Sequence, residues 1–361
     1  MSDLLDYKCP CCGGAITFDS SLQKMKCPYC DNEFDVETLK GFDEALNQDA
    51  EDNMQWNNQA TDEWTEGEAE GMRVYVCQSC GGEVVGDETL GATTCPYCDN
   101  PVVMKGQFSG DLKPNFIIPF KYDKKQAKEN LAKHLKGKLL LPKAFKTENH
   151  IDEVKGLYVP FWLFDTHADA FIRYRMTRTR HWSDSSYDYT ETSHYMATRA
   201  GDIAFERVPV DGSEAMPNDL MESIEPFDVA DMTDFQTAYM AGYLADRYDV
   251  TAEECTPRAN ERVKQSTEDA FRDTVVGYDT VVAESSTVNL DNGKINYAMY
   301  PVWILNTTWK DEKFLFAMNG QTGKFVGNLP MKVSAFLAWL FGVTVGVGGL
   351  AFLVQFLLWK L

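Results

Sequence analysis

Hydrophobic and polar positions change character several times along the chain. Up to about residue 100, apolar residues come in short clusters between polar turns. From Asn115 the apolar runs lengthen, with Phe116-Ile-Ile-Pro-Phe120 followed by Leu157-Tyr-Val-Pro-Phe-Trp-Leu-Phe164. Alternation predicts strands at Ala168–Arg180, Tyr187–Arg199 and Asp202–Val210, with a turn at Gly201. Ala127, Leu131 and Leu135, four apart among lysines, predict a helix over Tyr122–Lys136. Further helices are expected at Asp234–Arg247 and about Ala252–Val276, then strands at Thr280–Asn289, Tyr297–Trp309 and Lys313–Asn319. Asp291-Asn-Gly293 and Asn319-Gly-Gln-Thr-Gly323 read as turns. Strands, then helices, then strands is an α+β pattern.

The final regime is different. Val333 to Trp359 is 27 residues without a charge. As a helix it is roughly 40 Å long, against a hydrocarbon core of about 30 Å. It is expected to span a bilayer once, as a tail anchor with Trp359 at an interface. Lys324 and Lys332 before it, and reduced cysteines elsewhere, put the N-terminus in the cytoplasm and the anchor in the cytoplasmic (inner) membrane. Gly342-x-x-x-Gly346 offers a close-packing face for a homo- or hetero-oligomer through this helix.

Charge divides the remainder. The chain holds 55 Asp and Glu against 34 Lys and Arg, a net charge of −21. Met1–Asn100 has 21 acids and 5 bases, whereas Pro101–His150 has 4 acids and 11 lysines. Nucleic-acid binding is disfavoured, because duplex affinity comes largely from Lys and Arg displacing counterions. Gly41–Gly71 contains ten acids and no Lys or Arg, with Trp56 and Trp64 among Asn and Gln. It is expected to be a flexible or loosely helical spacer, and its tryptophans are candidate anchors for a docked partner. The lysine-rich helix reads as a solvated face, or else as one turned to an anionic bilayer.

The strongest signal is a duplication. Cys9/Cys12, Cys27/Cys30, Cys77/Cys80 and Cys95/Cys98 are four C-x-x-C pairs, and the second set follows the first at a constant offset of 68. Cys-Pro-Tyr-Cys-Asp-Asn recurs unchanged, and Gly13/Gly14 match Gly81/Gly82. Two C-x-x-C turns bring four thiolates to one tetrahedral zinc, closing the site and making it structural. A module this small needs the metal, which supplies on the order of 10–16 kcal/mol of apparent folding energy. Redox dithiols would require a helix opened by C-x-x-C in an α/β unit, and disulfides an oxidising compartment; neither context is present in the sequence. Two structural zinc ions are expected, on Cys9, Cys12, Cys27 and Cys30, and on Cys77, Cys80, Cys95 and Cys98. Cys11 is a rival for the place of Cys12, although the glycine register favours Cys12. Cys255, alone in a polar helical segment, is expected to be inert.

Catalytic signals are weak. There is no G-x-x-x-x-G-K-[ST], H-E-x-x-H or G-x-S-x-G. Asp165, His167 and Asp169 share one strand face, as an acid/base or metal cluster or as plain polar surface. The run Arg173, Arg175, Arg178, Arg180 and His181 offers a phosphate or headgroup site, or a solvent face beside Asp184, Asp188 and Glu191. A second repeat, Pro160-Phe-Trp162 and Pro301-Val-Trp303 at an offset of 141, suggests two related β-hairpin units in one domain.

The organisation expected is therefore a first zinc ribbon over 1–40, an acidic linker over 41–72, a second ribbon over 73–105, an α+β domain with inserted helices over 106–330, and a transmembrane helix over 333–359. Paired Cys-Pro-x-Cys ribbons, the acidic Trp-bearing connector, the Pro-x-Trp hairpins, the Asn-Gly-Gln-Thr-Gly-Lys turn and the apolar tail together resemble bacterial membrane-anchored TFIIB-type double zinc-ribbon proteins. Such relatives are often labelled primosomal protein N′ or superfamily II helicase, although this chain lacks helicase motifs. Similar proteins are encoded beside a phage-shock-protein-A paralogue and an SPFH (flotillin-like) protein. The resemblance implies a non-enzymatic membrane adaptor that recruits such proteins during envelope stress. The alternative reading is a nucleic-acid-associated ribbon protein without a motor of its own.

Overall fold

The computed structural model describes residues 8–9, 14–37, 39, 52–56, 63–64, 67–87, 94–107, 112–138, 140–142, 154–309 and 312–360. Short strands come first: β1 (Thr17–Asp19), β2 (Lys24–Lys26) and β3 (Glu33–Phe34), then β4 (Met72–Cys77), β5 (Glu83–Asp87) and β6 (Val102–Gln107). After β7 (Phe116–Ile117) comes α1 (Lys124–Leu135), then the long strands β8 (Lys155–Ser183) and β9 (Asp188–Asp211). The chain continues through α2 (Asn218–Ser223), β10 (Thr233–Asp234), β11 (Leu244–Asp246) and α3 (Ala252–Asp273). It ends with β12 (Thr280–Trp309), β13 (Glu312–Asn319), β14 (Phe325–Gly327) and α4 (Val333–Lys360). The fold is mixed α and β around one large sheet.

Two compact units divide the chain: Met1–Asn57 with Asp165–Glu206 and Asn260–Gly293, and Asn58–Phe164 with Arg207–Ala259 and Lys294–Leu361. The second unit carries the sheet, ordered β10-β7-β12-β8-β11-β5-β4-β6, with β13 and β14 extending from β12. Its core gathers Leu157, Val159, Phe161 and Leu163 of β8 with Ala298, Tyr300, Val302 and Ile304 of β12. The two Pro-x-Trp segments thus lie on neighbouring strands. Trp162 Nε1 donates to the Val250 carbonyl at 2.9 Å, and Trp303 Nε1 to the Tyr122 carbonyl at 3.0 Å. α1 opens with a reciprocal capping box between Asp123 and Gln126, and buries Ala127, Leu131 and Leu135 as its spacing predicts. The Asn319–Gly323 turn is also found: Asn319 is buried and donates to the carbonyls of Ile224 and Pro226.

In the first unit β8 alternates apart from the buried Arg173. Ala168, Ala170, Ile172, Tyr174 and Met176 are buried. On α3, Val263, Thr267 and Phe271, four residues apart, are buried in turn. The Tyr174 hydroxyl joins the two elements by donating to the Glu268 carbonyl at 3.4 Å.

Several expectations need correction. Asp234–Arg247 is not a helix: it holds only a helical turn at Thr237–Met240, then β11. β11 is claimed from both sides, parallel to β8 and antiparallel to β5, and two ladders outweigh local helical spacing. The turns expected at Gly201 and Asp291–Gly293 do not interrupt β9 and β12, which run straight through them. α2 and β14 carried no recognised signal. The acidic connector is not wholly a solvated spacer. In the first unit Asp52 accepts from Lys264 Nζ at 2.5 Å and from the Val288 amide at 2.9 Å. There too, Trp56 Nε1 donates to Asn260 Oδ1 at 2.8 Å. In the second unit Trp64 meets Phe235 edge-on, with centroids 5.6 Å apart. Both tryptophans are therefore taken up by the chain itself. Residues 41–51 and 57–62 lie outside the described residues.

α4 is the one helix among the described residues long and apolar enough to cross a membrane, over Val333–Trp359. Its Leu337, Phe341, Leu350, Phe352 and Trp359 are exposed. A helix apolar on every side and covered by no protein suits a lipid surround.

Candidate metal centres

The duplication in sequence is a duplication in geometry. The Lys8–Ala15 bridge of the first module corresponds to the Val76–Glu83 pair of the second, and the Lys26–Glu33 pair to the Thr94–Pro101 bridge, all at the offset of 68. In each second knuckle the chain turns back on itself. The Cys27 amide donates to the Asn32 carbonyl at 2.9 Å and the Asp31 amide to the Cys27 carbonyl at 2.9 Å. The equivalent bonds at Cys95, Asn100 and Asp99 measure 2.8 and 3.1 Å. Asp31 and Asp99 take the left-handed conformation, with φ of 57° and 58°, which short polar side chains tolerate.

The paired glycines have distinct duties. Gly81, at φ 77°, turns the first knuckle so that its amide reaches the Cys77 carbonyl at 3.0 Å. Gly82 makes room: a Cβ there would stand 2.9 Å from the Tyr97 ring, as one on Gly14 would stand 2.5 Å from Tyr29. The tyrosine of each second knuckle therefore lies on the glycine of the first.

These turns gather the thiols. Ligand atoms of Cys77, Cys80, Cys95 and Cys98 all lie within 4.8 Å of one another, as do those of Cys9, Cys27 and Cys30. Cys12 and its rival Cys11 lie outside the described residues. Sulfur separations are 3.4 Å for Cys77–Cys98, 3.6 Å for Cys80–Cys95 and 3.5 Å for Cys9–Cys30. A disulfide would bring sulfurs to about 2.05 Å, and these cysteines form none. Sulfurs held tetrahedrally at about 2.3 Å from one ion stand about 3.8 Å apart. The thiols fit a shared metal ion and not a covalent bridge.

The surroundings favour thiolate unevenly. Burial pushes Cys95 and Cys80 up. Burial also opposes ionisation of Cys98, but hydrogen bonds from the Asn100 side chain and amide outweigh it and lower the thiol to about 6. Asn32 does the same for Cys30 and brings it to about 7. The Asn amides approach these sulfurs at 3.3 Å in the first module and 3.4 Å in the second. The Asn of Cys-Pro-Tyr-Cys-Asp-Asn is thus a second-layer support for its site. The strict repetition of that hexapeptide was the signal that could have identified it.

The modules differ in setting. In the second, β5 pairs with β11, joining Val84 to Asp246 and Val85 to Ala245. Lys155 Nζ reaches the Cys95 carbonyl at 3.0 Å and Asp99 Oδ1 at 2.6 Å. Asn306 donates to the Tyr97 carbonyl. The Tyr97 hydroxyl is buried beside Asp246, and burial followed by that acid raises it well above the usual tyrosine range. Asp246 is itself pushed up to about 7 by burial, although it accepts from Ser213 Oγ at 2.5 Å. In the first module β1 pairs instead with β2 of the same module, at Thr17–Lys26. Tyr29 is 74% exposed there, with Phe18 and Leu22 also open.

The remaining candidates do not assemble a site. Asp165 is half-buried, and His167 and Asp169 are exposed on the strand face opposite the buried Thr166, Ala168 and Ala170. The arginine run is engaged within its own unit, and Arg173 is not on a solvent face. It is buried 3.6 Å from Glu284, which also meets Arg175 at 3.4 Å. Arg178 donates to the Gly277 carbonyl, Arg180 lies over Trp182, and His181 meets Thr190 at 2.9 Å. Cys255 is buried on α3 with its thiol pushed up to about 12, chiefly by burial.

No family model matches the chain. No solved structure matches it. A protein of Bacillus subtilis (strain 168), "Uncharacterized protein YdjG", is 32% identical over 343 residues, covering 95% of both chains. With that identity along nearly the whole length, the chain belongs to the family of YdjG.

Proposed function

We propose that this protein is a non-enzymatic, membrane-anchored zinc-ribbon adaptor, and that its first ribbon is the recruiting surface. The observation that carries this reading is that one knuckle occurs twice in different surroundings. Tyr97 and Asp99 are engaged by Asn306 and Lys155 of the same chain, whereas Tyr29 and Asp31 of the same hexapeptide are open. A surface that binds protein in one copy and faces solvent in the other is suited to bind protein again.

Zinc is the metal that best suits four thiolates in a closed tetrahedral set with no open position. Cys12 completes the first set. Bound there, zinc holds the knuckles and supplies no chemistry. α4 anchors the chain in the cytoplasmic membrane with both ribbons in the cytoplasm, where thiols stay reduced. Phage-shock-protein-A-like and SPFH (flotillin-like) proteins, implied by resemblance, are the partners to try first. The acidic composition of Met1–Asn100 supports protein over nucleic acid as the ligand.

The test is Tyr29→Ser with Asp31→Ala in the full chain, recovered from detergent-solubilised membranes. The variant should keep two zinc ions and its membrane attachment while losing co-purified partners. Retention of every wild-type partner would overturn the assignment to the first ribbon.

A further inference from the structure

A sheet edge outside the ribbons is built for a second copy of the chain. In the first unit, β9 is hydrogen-bonded to β8 and, among the described residues, to no other strand. Natural edges are usually guarded by charged side chains, above all Lys, by Pro or by shortness. Between Asp188 and Glu206 there is neither Lys nor Pro, and the strand runs 24 residues. Its odd-numbered side is occupied within the unit: Arg199 donates to Thr274 Oγ1 at 2.9 Å, Tyr195 meets Tyr278, and Gly201 lies under Phe271. On its even-numbered side Thr190, Thr192, His194, Thr198, Ala200, Asp202, Ala204 and Glu206 are exposed.

We propose that this edge pairs antiparallel with the same edge of a second copy, about a two-fold axis at Thr198. In such a pair every residue faces the one equally far beyond the axis, on the same side of the sheet. An axis at Thr198 sets His194 against Asp202 twice. No like charges oppose each other in this register: Glu191 meets Phe205, Arg199 meets Ala197 and Glu206 meets Thr190. The other registers between Tyr195 and Arg199 do worse. An axis at Tyr195 opposes Asp188 to Asp202, one at Ala197 opposes Asp188 to Glu206, one at Arg199 sets that arginine on itself, and one at Met196 forms no opposite-charge pair. His194 and Asp202 are exposed, and neither has an ion-pair partner among the described residues. Charge complementarity thus selects a second copy. An axis at Ala200 would set His194 against Glu206 instead, but there Asp202 faces Thr198, so Asp202→His separates the two registers.

The test uses the full chain in detergent, with protein mass measured by light scattering corrected for bound detergent. The wild type should be a dimer. Asp202→His sets histidine against histidine, and His194→Asp sets acid against acid; each should weaken dimerisation at least tenfold. The exchange His194→Asp with Asp202→His restores the pair and should restore the dimer. All three variants should keep the wild-type circular dichroism spectrum and metal content, so a loss of dimer is read as a loss of pairing. A monomeric wild type would overturn the proposal and leave the edge to a strand of another protein. A dimer unchanged by either single substitution, or not recovered by the exchange, would overturn it by placing the contact elsewhere, α4 included.

Discussion

The two cysteine modules share a hexapeptide, a knuckle geometry and a supporting asparagine, yet one is part of a sheet and the other closes on itself. The strand position that β2 fills in the first module is filled by β11 in the second. Tyr29 is open where the Tyr97 hydroxyl is buried. Asp31 meets Lys26 of its own hairpin at 3.6 Å, where Asp99 meets Lys155 of β8. A cysteine knuckle is therefore a neutral part. Its neighbours decide whether it acts as a rivet within the fold or as a surface for others.

Breaking the metal sites tests this contrast most severely. Cys95→Ser with Cys98→Ser removes the support of β4 and β5, which are strands of the large sheet. The main thermal transition should fall by roughly 10 °C, at about 2–4 °C per kcal/mol. Cys27→Ser with Cys30→Ser should leave that transition within about 2 °C while halving the zinc content. Calorimetry with elemental analysis distinguishes them, and equal shifts would erase the contrast. Next comes the tyrosine pair. Tyr97→Ser should cost about 3 kcal/mol in denaturant unfolding, as for other packed aromatics, and Tyr29→Ser less than about 0.5 kcal/mol.

A smaller effect is expected from pH. Asp246 has its folded pKa raised to about 7, so above pH 4 the folded chain keeps a proton that the unfolded chain has lost. Its stabilising contribution is greatest at low pH, is lost as pH rises through about 7, and is flat beyond. With zinc in excess, the wild type should lose about 1 kcal/mol between pH 6 and 8, at about 1.4 kcal/mol per pH unit. Asp246→Asn should remove that slope, and an unchanged slope would place its origin elsewhere. The smallest effect is that of Lys155→Ala. This partly exposed pair is worth less than about 1 kcal/mol, but its loss should speed zinc release to a chelator from the second module alone.

Much of this contrast was hidden in the sequence because its causes lie far away along the chain. The offset of 68 exposed the thiols, and apolar spacing exposed α1, α3 and α4, since each of those signals is local. Identical hexapeptides gave no means of telling Tyr29 from Tyr97. The difference is made by Lys155, Asp246 and Asn306. Asp246 was itself misread as helical, because its segment becomes a strand only when two others flank it. Arg173 looked like part of a solvated stripe, since its partner Glu284 stands on a strand over 100 residues later. The acidic connector read as a spacer because composition does not reveal that Asp52 and Trp56 meet α3.

The pairing of Val84 with Asp246 also orders events in time. The first module closes over a few tens of residues, a short search that ends early. The second waits for a strand about 160 residues downstream, and such non-local pairing is slow. During refolding, zinc should enter the first module promptly and become firmly held in the second only as the sheet assembles. The second site then serves as a clock for the completion of the sheet.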